Sequence, residues 1–159
     1  MSKPSFHKLA PNVIKVWQWS NSISNLFFLA IPIAYAFFFG YSGLHLWFII
    51  GSGLLVTVFW ILSIAWIPFL SWKNWRYSIN QKEIDLKHGI LFKTRTLIPL
   101  SRVQHVDTRQ GPLLRTYKLS SVTISTAATT HEIPGLDTIL ADRVRRQIST
   151  YARLAEDDV

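Results

Sequence analysis

The chain of 159 residues contains no cysteine and a single methionine. Without thiols it can form neither disulfides nor thiolate metal sites, and the absence fits a reducing compartment. Charge is scarce as well: charged residues make up 16% of the chain, against roughly 25% in an average soluble domain. The scarcity is local, because no Asp, Glu, Lys or Arg occurs between Lys15 and Lys73. The composition therefore predicts that this region does not face water.

Two apolar segments fill the uncharged region, at residues 22–40 and about 46–70. Each reaches the roughly 20 residues that a helix needs to cross a bilayer, and the Ser and Gly at 41–45 suit a tight turn between them. The sequence thus predicts a transmembrane helical hairpin over residues 22–71. A very apolar soluble core is the alternative, although soluble helices rarely run this long without charge on any face. Ala34-Tyr35-Ala36 matches a signal-peptide cleavage pattern, but three phenylalanines follow it directly.

Small and polar residues within the spans indicate helix contacts. Pro32 predicts a kink in the first span, and Ser24 and Asn25 favour contact with another helix over contact with lipid. Gly51-Ser52-Gly53 would let another helix approach the second span closely. Two interpretations stay open for this patch: packing within the hairpin, or contact with a partner protein. A transport path is not expected, since neither span holds an Asp, Glu, Lys or Arg.

The flanking charges predict the orientation of the hairpin. The basic residues nearest to the spans lie outside both of them, at Lys3, Lys8, Lys15, Lys73 and Arg76. Because basic flanks stay in the cytoplasm, residues 1–21 are predicted to be a cytoplasmic N-terminal segment. Residues 72–155 are predicted to be a cytoplasmic domain, followed by an acidic tail at 156–159.

This domain reads as short strands followed by one helix. Apolar residues alternate with polar ones over 75–79, 83–89, 90–100 and 121–127, as in half-buried strands joined by hairpins. Val103 and Val106 are three residues apart, which breaks the alternation and predicts a bulge. The chain then ends with an apolar stripe at helical spacing: Leu136, Leu140, Val144, Ile148 and Tyr151.

The motifs WRYSI, IPLSRVQHV, QGPLLR and VTISTA, in this order, resemble the bacterial membrane-flanked pleckstrin-homology-like domain. The resemblance covers about residues 72–153, and two preceding helices are the family's usual anchor. It implies an α+β membrane protein in which the hairpin precedes a seven-stranded, partly open β-barrel capped by the C-terminal helix. Lys118 and Ala128 stand where family members often have glycine, so the turns at these positions are expected to differ.

Catalytic and metal-binding motifs are missing from the sequence. The five histidines lack the spacing of a zinc hydrolase, and neither a nucleophile elbow nor a phosphate-binding glycine loop occurs. His105 and Asp107 would share one face of a strand and could pair, most simply as a surface pair. The expectation is a non-enzymatic protein with no cofactor and no metal.

Basic residues of the domain are the candidates for binding anionic lipid or a protein partner. They are Lys82, Lys93, Arg95, Arg102, Arg109 and Arg115, and Lys87 and Lys118 are further basic residues of the same domain. Anionic headgroups attract each nearby Lys or Arg by about 1 kcal/mol, whereas nucleic acid is disfavoured because the domain is tethered to a membrane and has no aromatics interleaved with these charges. A solvated basic surface without a ligand is the plainer interpretation.

Two functions follow from these observations and from the resemblance. The preferred one is an interaction module in the bacterial cytoplasmic membrane, which assembles with other membrane proteins as a homo- or hetero-oligomer. The resemblance implies a longer homologue as one such partner, and envelope maintenance or stress defence as the setting. The alternative is a sensor of anionic lipid.

The predicted topology can be tested by thiol labelling, because the chain has no cysteine of its own. In intact cells a membrane-impermeant maleimide should label Ser42→Cys, and it should label Val159→Cys only after lysis. Labelling of Val159→Cys from outside would show that the orientation is inverted.

Overall fold

The computed structural model describes residues 6–40 and 43–157. Part of the predicted outward turn, at residues 41–42, and the end of the predicted acidic tail, at 158–159, lie outside the described residues. The chain divides into two compact units. One is Trp17–Phe69; the other combines the residues up to Val16 with those from Leu70 onward.

Helices α1 to α4 form two long apolar runs. They are α1 Val13–Phe28, α2 Ala30–Phe39, α3 Leu44–Ala65 and α4 Ile67–Asn74. The runs Val13–Phe39 and Leu44–Asn74 are each long and apolar enough to cross a membrane, and in each only 6% of the most apolar window is buried. Such exposure is the opposite of what a soluble core helix shows. Both runs begin earlier than the predicted spans; the first ends at Phe39, one residue before the predicted end, and the second extends four residues further, to Asn74.

Each run is interrupted shortly before a proline. The first breaks at Leu29, three residues before Pro32, and the second at Trp66, two residues before Pro68. Proline has no N–H, so the carbonyl four residues earlier loses its helical partner. The irregularity predicted from Pro32 is therefore present, and a second one accompanies it.

Amide side chains of α1 join this helix to α3. The side chain of Gln18 donates to the Ile64 carbonyl, which the second proline leaves unpaired, at 3.1 Å. Asn21 donates to the Ser63 carbonyl at 2.9 Å, and the buried Asn25 donates to the Ser63 hydroxyl. Hydrocarbon offers no competing water, so such bonds satisfy the polar groups and favour helix association. The predicted role of Asn25 in a helix contact is confirmed.

The second unit contains two three-stranded antiparallel sheets, in the orders β1-β2-β3 and β4-β5-β6. The strands are β1 Arg76–Ile79, β2 Glu83–His88, β3 Thr94–Pro99, β4 Val103–Arg109, β5 Leu119–Thr126 and β6 Thr130–Asp137. A 3₁₀ turn, Leu100–Arg102, joins the sheets, and helix α5, Pro112–Thr116, precedes β5. The register of β4 shifts between Val103 and His105, which confirms the predicted bulge.

The described residues thus form six strands where the resemblance implied seven. The strand predicted at 90–100 begins only at Thr94, because residues 89–93 make the turn after β2. Gly89 has φ +118, and an added Cβ would collide with the Phe92 carbonyl. Only glycine accommodates such a turn without strain.

Helix α6, Thr138–Asp157, closes the core of this unit. Its buried side chains are Ala141, Val144, Ile148 and Ala152, at the three- and four-residue spacing of one helical face. The helix packs on β4, β5 and the 3₁₀ turn. The predicted C-terminal helix is confirmed, but Leu136, the first residue of the predicted stripe, lies in β6 because the strand continues to Asp137; Leu140 and Tyr151 are half-buried at the edge of the stripe.

Lys118, which stands where family members often have glycine, adopts the left-handed conformation that favours glycine. Its φ of 55° makes it the one non-glycine residue with positive φ in the described part of the chain. This conformation places Cβ against the following carbonyl and costs about 1–2 kcal/mol. Ala128 has no such φ, so only the first of the two departures leaves the backbone strained.

The segment before the hairpin belongs to the same unit as the sheets. His7 and Tyr77 exchange two backbone hydrogen bonds, at 2.8 and 3.1 Å, and the Ala10 amide donates to the Gly135 carbonyl at 3.1 Å. Val13 is fully buried. The sequence interpretation began the domain at residue 72 and treated the N-terminal segment separately; in the structure, residues 6–16 complete its core.

Gly135 is where the N-terminal segment meets the sheet, which makes it a test of this packing. It has φ +61, and an added Cβ would collide with the Val13 side chain. We expect Gly135→Ala to lower the free energy of unfolding by at least about 1–2 kcal/mol, the penalty of the left-handed conformation alone. Thermal unfolding of the full chain in detergent measures this change. Gly111→Ala is the matched control, because Gly111 has φ −76 and open space around it; equal destabilisation by both variants would contradict the prediction.

Candidate functional site

The basic residues singled out from the sequence do not form one surface. Arg102 lines a cavity of about 610 Å³, Arg115 one of about 660 Å³, and Lys93 and Arg95 one of about 300 Å³. Lys82 and Arg109 are exposed and line none of these three. Only Lys93 and Arg95 are therefore brought together.

The cavity that holds these two residues has the most basic lining of the three. We call it the basic cleft; its lining residues are Lys73, Asn74, Arg76, Lys87, His88, Gly89, Lys93, Thr94 and Arg95. Five of them are cationic, and none carries a carboxylate. The cleft lies where the end of α4, the start of β1 and the turn between β2 and β3 meet.

Strand register places three of the cations in one row across the first sheet. Arg76 lies opposite Lys87, and Lys87 lies opposite Arg95. Like charges directly opposite each other on neighbouring strands are destabilising. The row is therefore an arrangement that a nearby anion would stabilise.

One cation of the row is neutralised by a buried carboxylate. Asp85 is 2% exposed, and its two oxygens accept hydrogen bonds from Arg95 Nε at 3.1 Å and from Nη2 at 2.7 Å. The hydrogen bond to Asp85 raises the pKa of Arg95, so the guanidinium stays charged. Arg95 is thus held in place by its partner, and its charge is already compensated.

The other four cations have no carboxylate partner within the described ranges. Lys87 Nζ lies 3.8 Å from the centroid of the Phe6 ring, and an Arg76 Nη donates to the carbonyl of its neighbour Trp75 at 2.6 Å. Neither contact supplies negative charge. Lys73 and Lys93 form no ion pair with any described residue, so an anion in the cleft would meet four uncompensated positive charges.

Two large apolar side chains stand beside the cleft, in the turn between β2 and β3. Leu91 is 89% exposed and Phe92 is 86% exposed, more than any other large apolar residue described. Moving such a side chain out of water is worth about 1.5–3 kcal/mol. The side chain of Asn74, the last residue of the second apolar run, donates to the Gly89 carbonyl of this turn at 3.0 Å.

Sequence reasoning did not include Lys73, Arg76 or Lys87 among the six candidate binding residues, although it named Lys87 as a basic residue of the domain and Arg76 as a flank of the second span. Lys73 had been used only for orientation. Arg76 and Lys87 both lie on the polar faces of predicted strands, but their proximity follows from the pairing register, which a period of two does not give. The remaining candidate chemistry is modest: His105 Nε2 lies 3.2 Å from Asp107 Oδ1, with both side chains exposed, as expected for a surface pair.

Arg95 and Arg102 can be distinguished experimentally, because only the first has a buried partner. Arg95→Gln leaves the Asp85 carboxylate buried without its cation, which is strongly unfavourable, so the midpoint of thermal unfolding should fall by several degrees. Arg102→Gln removes an exposed charge and should leave the midpoint nearly unchanged. Differential scanning calorimetry of the full chain in detergent compares the two; equal midpoints would mean that the Asp85 pair contributes little.

Comparison with known proteins agrees with this architecture. Residues 12–152 match the family described as Bacterial PH domain. The chain is also 44% identical, over 157 residues, to the UPF0699 transmembrane protein YdbS of Bacillus subtilis (strain 168), and the match covers 96% of each chain. No solved structure gives a significant match. The expected pleckstrin-homology-like domain is confirmed, and since the match covers most of its length, the chain belongs to the bacterial PH domain family of membrane proteins.

Proposed function

We propose that this chain is a membrane-anchored, non-enzymatic module that assembles with other membrane proteins through its second span. Both termini lie in the cytoplasm in this proposal, as the basic flanks predict. The observation that carries it is the open glycine patch of α3.

The glycines of this patch do not serve the packing of the hairpin. A Cβ added at Gly51 or at Gly53 would meet no atom within 4 Å, so no neighbouring helix comes close enough to require glycine there. The hairpin packs elsewhere on α3, through the buried Ser63 and its bond to Asn25. Of the two interpretations that the sequence left open, contact with a partner is therefore favoured.

The patch continues along one face of α3 with a second small residue. Thr57 follows Gly53 by four residues, so the two share a face, and the Thr57 hydroxyl donates to the Gly53 carbonyl at 2.8 Å. This bond satisfies the hydroxyl in hydrocarbon. Small residues spaced by four let two helix backbones approach closely, and van der Waals packing then contributes to association, since no hydrophobic force acts between helices in lipid.

Binding, rather than catalysis, also suits the chemistry of the folded unit. Within the described residues, His, Asp and Glu nowhere gather in a group that could hold a metal ion. The His105–Asp107 pair is exposed on both sides and has no nucleophile bonded to it. The curated relative is named only as a transmembrane protein, and the proposal assigns no reaction.

Gly53→Leu tests the proposal, because the added side chain has open space within the chain and would collide only with a partner. Native mass spectrometry of the wild type extracted in mild detergent should show protein complexes heavier than the 18.3 kDa monomer. Gly53→Leu should shift most of this signal to the monomer. Ala34→Leu is the matched control, since it adds three carbons, against four in Gly53→Leu, at an exposed position of α2 and should leave the complexes intact.

Two results would contradict assembly through α3. One is a wild type that is monomeric, with or without lipid attached. The other is equal loss of complexes in Gly53→Leu and Ala34→Leu, which would indicate a general effect of bulk on the spans. Circular dichroism of both variants shows whether the hairpin remains helical.

A further inference from the structure

The turn between β2 and β3 combines two exposed apolar side chains with a neighbouring cluster of cations. Leu91 and Phe92 expose almost all of their apolar surface, and no described side chain covers them. Directly beside them, the basic cleft holds four cations without a carboxylate partner. An apolar tip next to a cluster of cations fits an interface at which hydrocarbon and anionic groups meet within a few ångströms.

The chain itself indicates which interface this is. Asn74 ends the second apolar run, and its side chain holds the Gly89 carbonyl at 3.0 Å. Lys73, one residue earlier, lines the cleft. The turn is therefore fastened to the residues through which the chain passes from the apolar run into the domain, where a membrane surface is close by.

The cation row adds an independent argument for an anionic ligand. Arg76, Lys87 and Arg95 lie opposite one another on three strands, and Asp85 compensates only Arg95. Lys93 extends the same charge towards the apolar tip. A phosphate is held well by several such donors, and a lipid headgroup supplies a phosphate directly above acyl chains that can receive the apolar tip.

We infer that this turn and the basic cleft dock the domain on an anionic bilayer. Leu91 and Phe92 enter the apolar layer, and Lys73, Arg76, Lys87 and Lys93 hold headgroup phosphates. The inference does not depend on assembly through the glycine patch of α3. A soluble anion would make no use of the apolar tip, and an acidic protein surface would not account for its attachment to the end of a membrane run.

Site-directed spin labelling of the full chain tests the docking. The chain has no cysteine, so Phe92→Cys supplies a unique thiol that leaves Leu91 in place. In nanodiscs containing phosphatidylglycerol, the label should collide with oxygen several-fold more often, relative to a water-soluble nickel chelate, than in nanodiscs of phosphatidylcholine alone. High salt should reduce this difference, because exposed charges are screened over about 8 Å at physiological ionic strength and over less at higher salt.

Two controls distinguish the effect of the cleft cations from the effect of net charge, and insertion at position 92 from a general change in label accessibility. A label at Ile139, which is 77% exposed on α6, should remain accessible to nickel in both lipids. Replacing the four cleft cations, Lys73, Arg76, Lys87 and Lys93, by Gln should return the label at 92 to water. Replacing Lys82, Arg102, Arg109 and Arg115 by Gln removes the same charge outside the cleft and should leave the label inserted.

Several outcomes would overturn the inference. A label at 92 that stays in water in both lipids would exclude insertion of the turn. A label that inserts equally in anionic and in neutral nanodiscs would exclude a role for the cations. If the two fourfold variants had equal effects, the cleft cations would act only through the net charge of the domain and not as a binding site. Protection from both oxygen and nickel would place the turn inside a protein contact. Circular dichroism and thermal unfolding confirm that each variant is folded.

Discussion

The two ends of the helical hairpin enter the same folded unit, and this double attachment is the constraint on which the rest depends. His7 pairs with Tyr77 through the backbone, and the Trp72 indole donates to the Leu9 carbonyl at 3.0 Å. Residues before the first span and after the second are thus parts of one core. The N-terminal segment is therefore a structural element rather than a leader to the first span.

Strand register then decides where charge gathers in this unit. The pairing of β1, β2 and β3 places Tyr77 opposite Leu86 on the face that faces the core, and the same pairing places Arg76 opposite Lys87 on the other face, together with the buried Asp85. A shift by one residue would exchange the two faces, so the buried face fixes the cation row as a consequence. Asp85 stabilises the row at one end only. The fold can therefore tolerate this concentration of positive charge without cancelling it.

Much of this architecture follows from local sequence patterns, and the remainder depends on contacts between distant residues. Helix α6 and the bulge at Val103 were readable because periodicity reports which side of an element is buried. Leu9, Val13 and Val16 also have helical spacing, but they run into the apolar segment that follows and so gave no separate signal. The short helix α5 carries only five residues of pattern. The basic cleft could not be predicted from residue spacing, because Lys73, Lys87 and Lys93 come together only through strand pairing and the conformation of the turn between β2 and β3. The left-handed turn at Lys118 was not predicted either, because residue type gives no signal for it and the resemblance indicated only that family members often have glycine at this position.

The two surfaces assigned to this chain suit the two media that its segments meet. In hydrocarbon a glycine patch acts through close backbone approach, and the uncharged spans contain nothing that would oppose it. At the aqueous boundary a cluster of lysines and arginines acts over only about 8 Å before salt screens it, so it recognises what is already near. Tethering supplies that nearness, since it holds the domain at a high effective concentration beside the lipid. Under the proposed docking, contacts between the cleft cations and the headgroups need only be weak, because the tether already holds the cleft near its ligand.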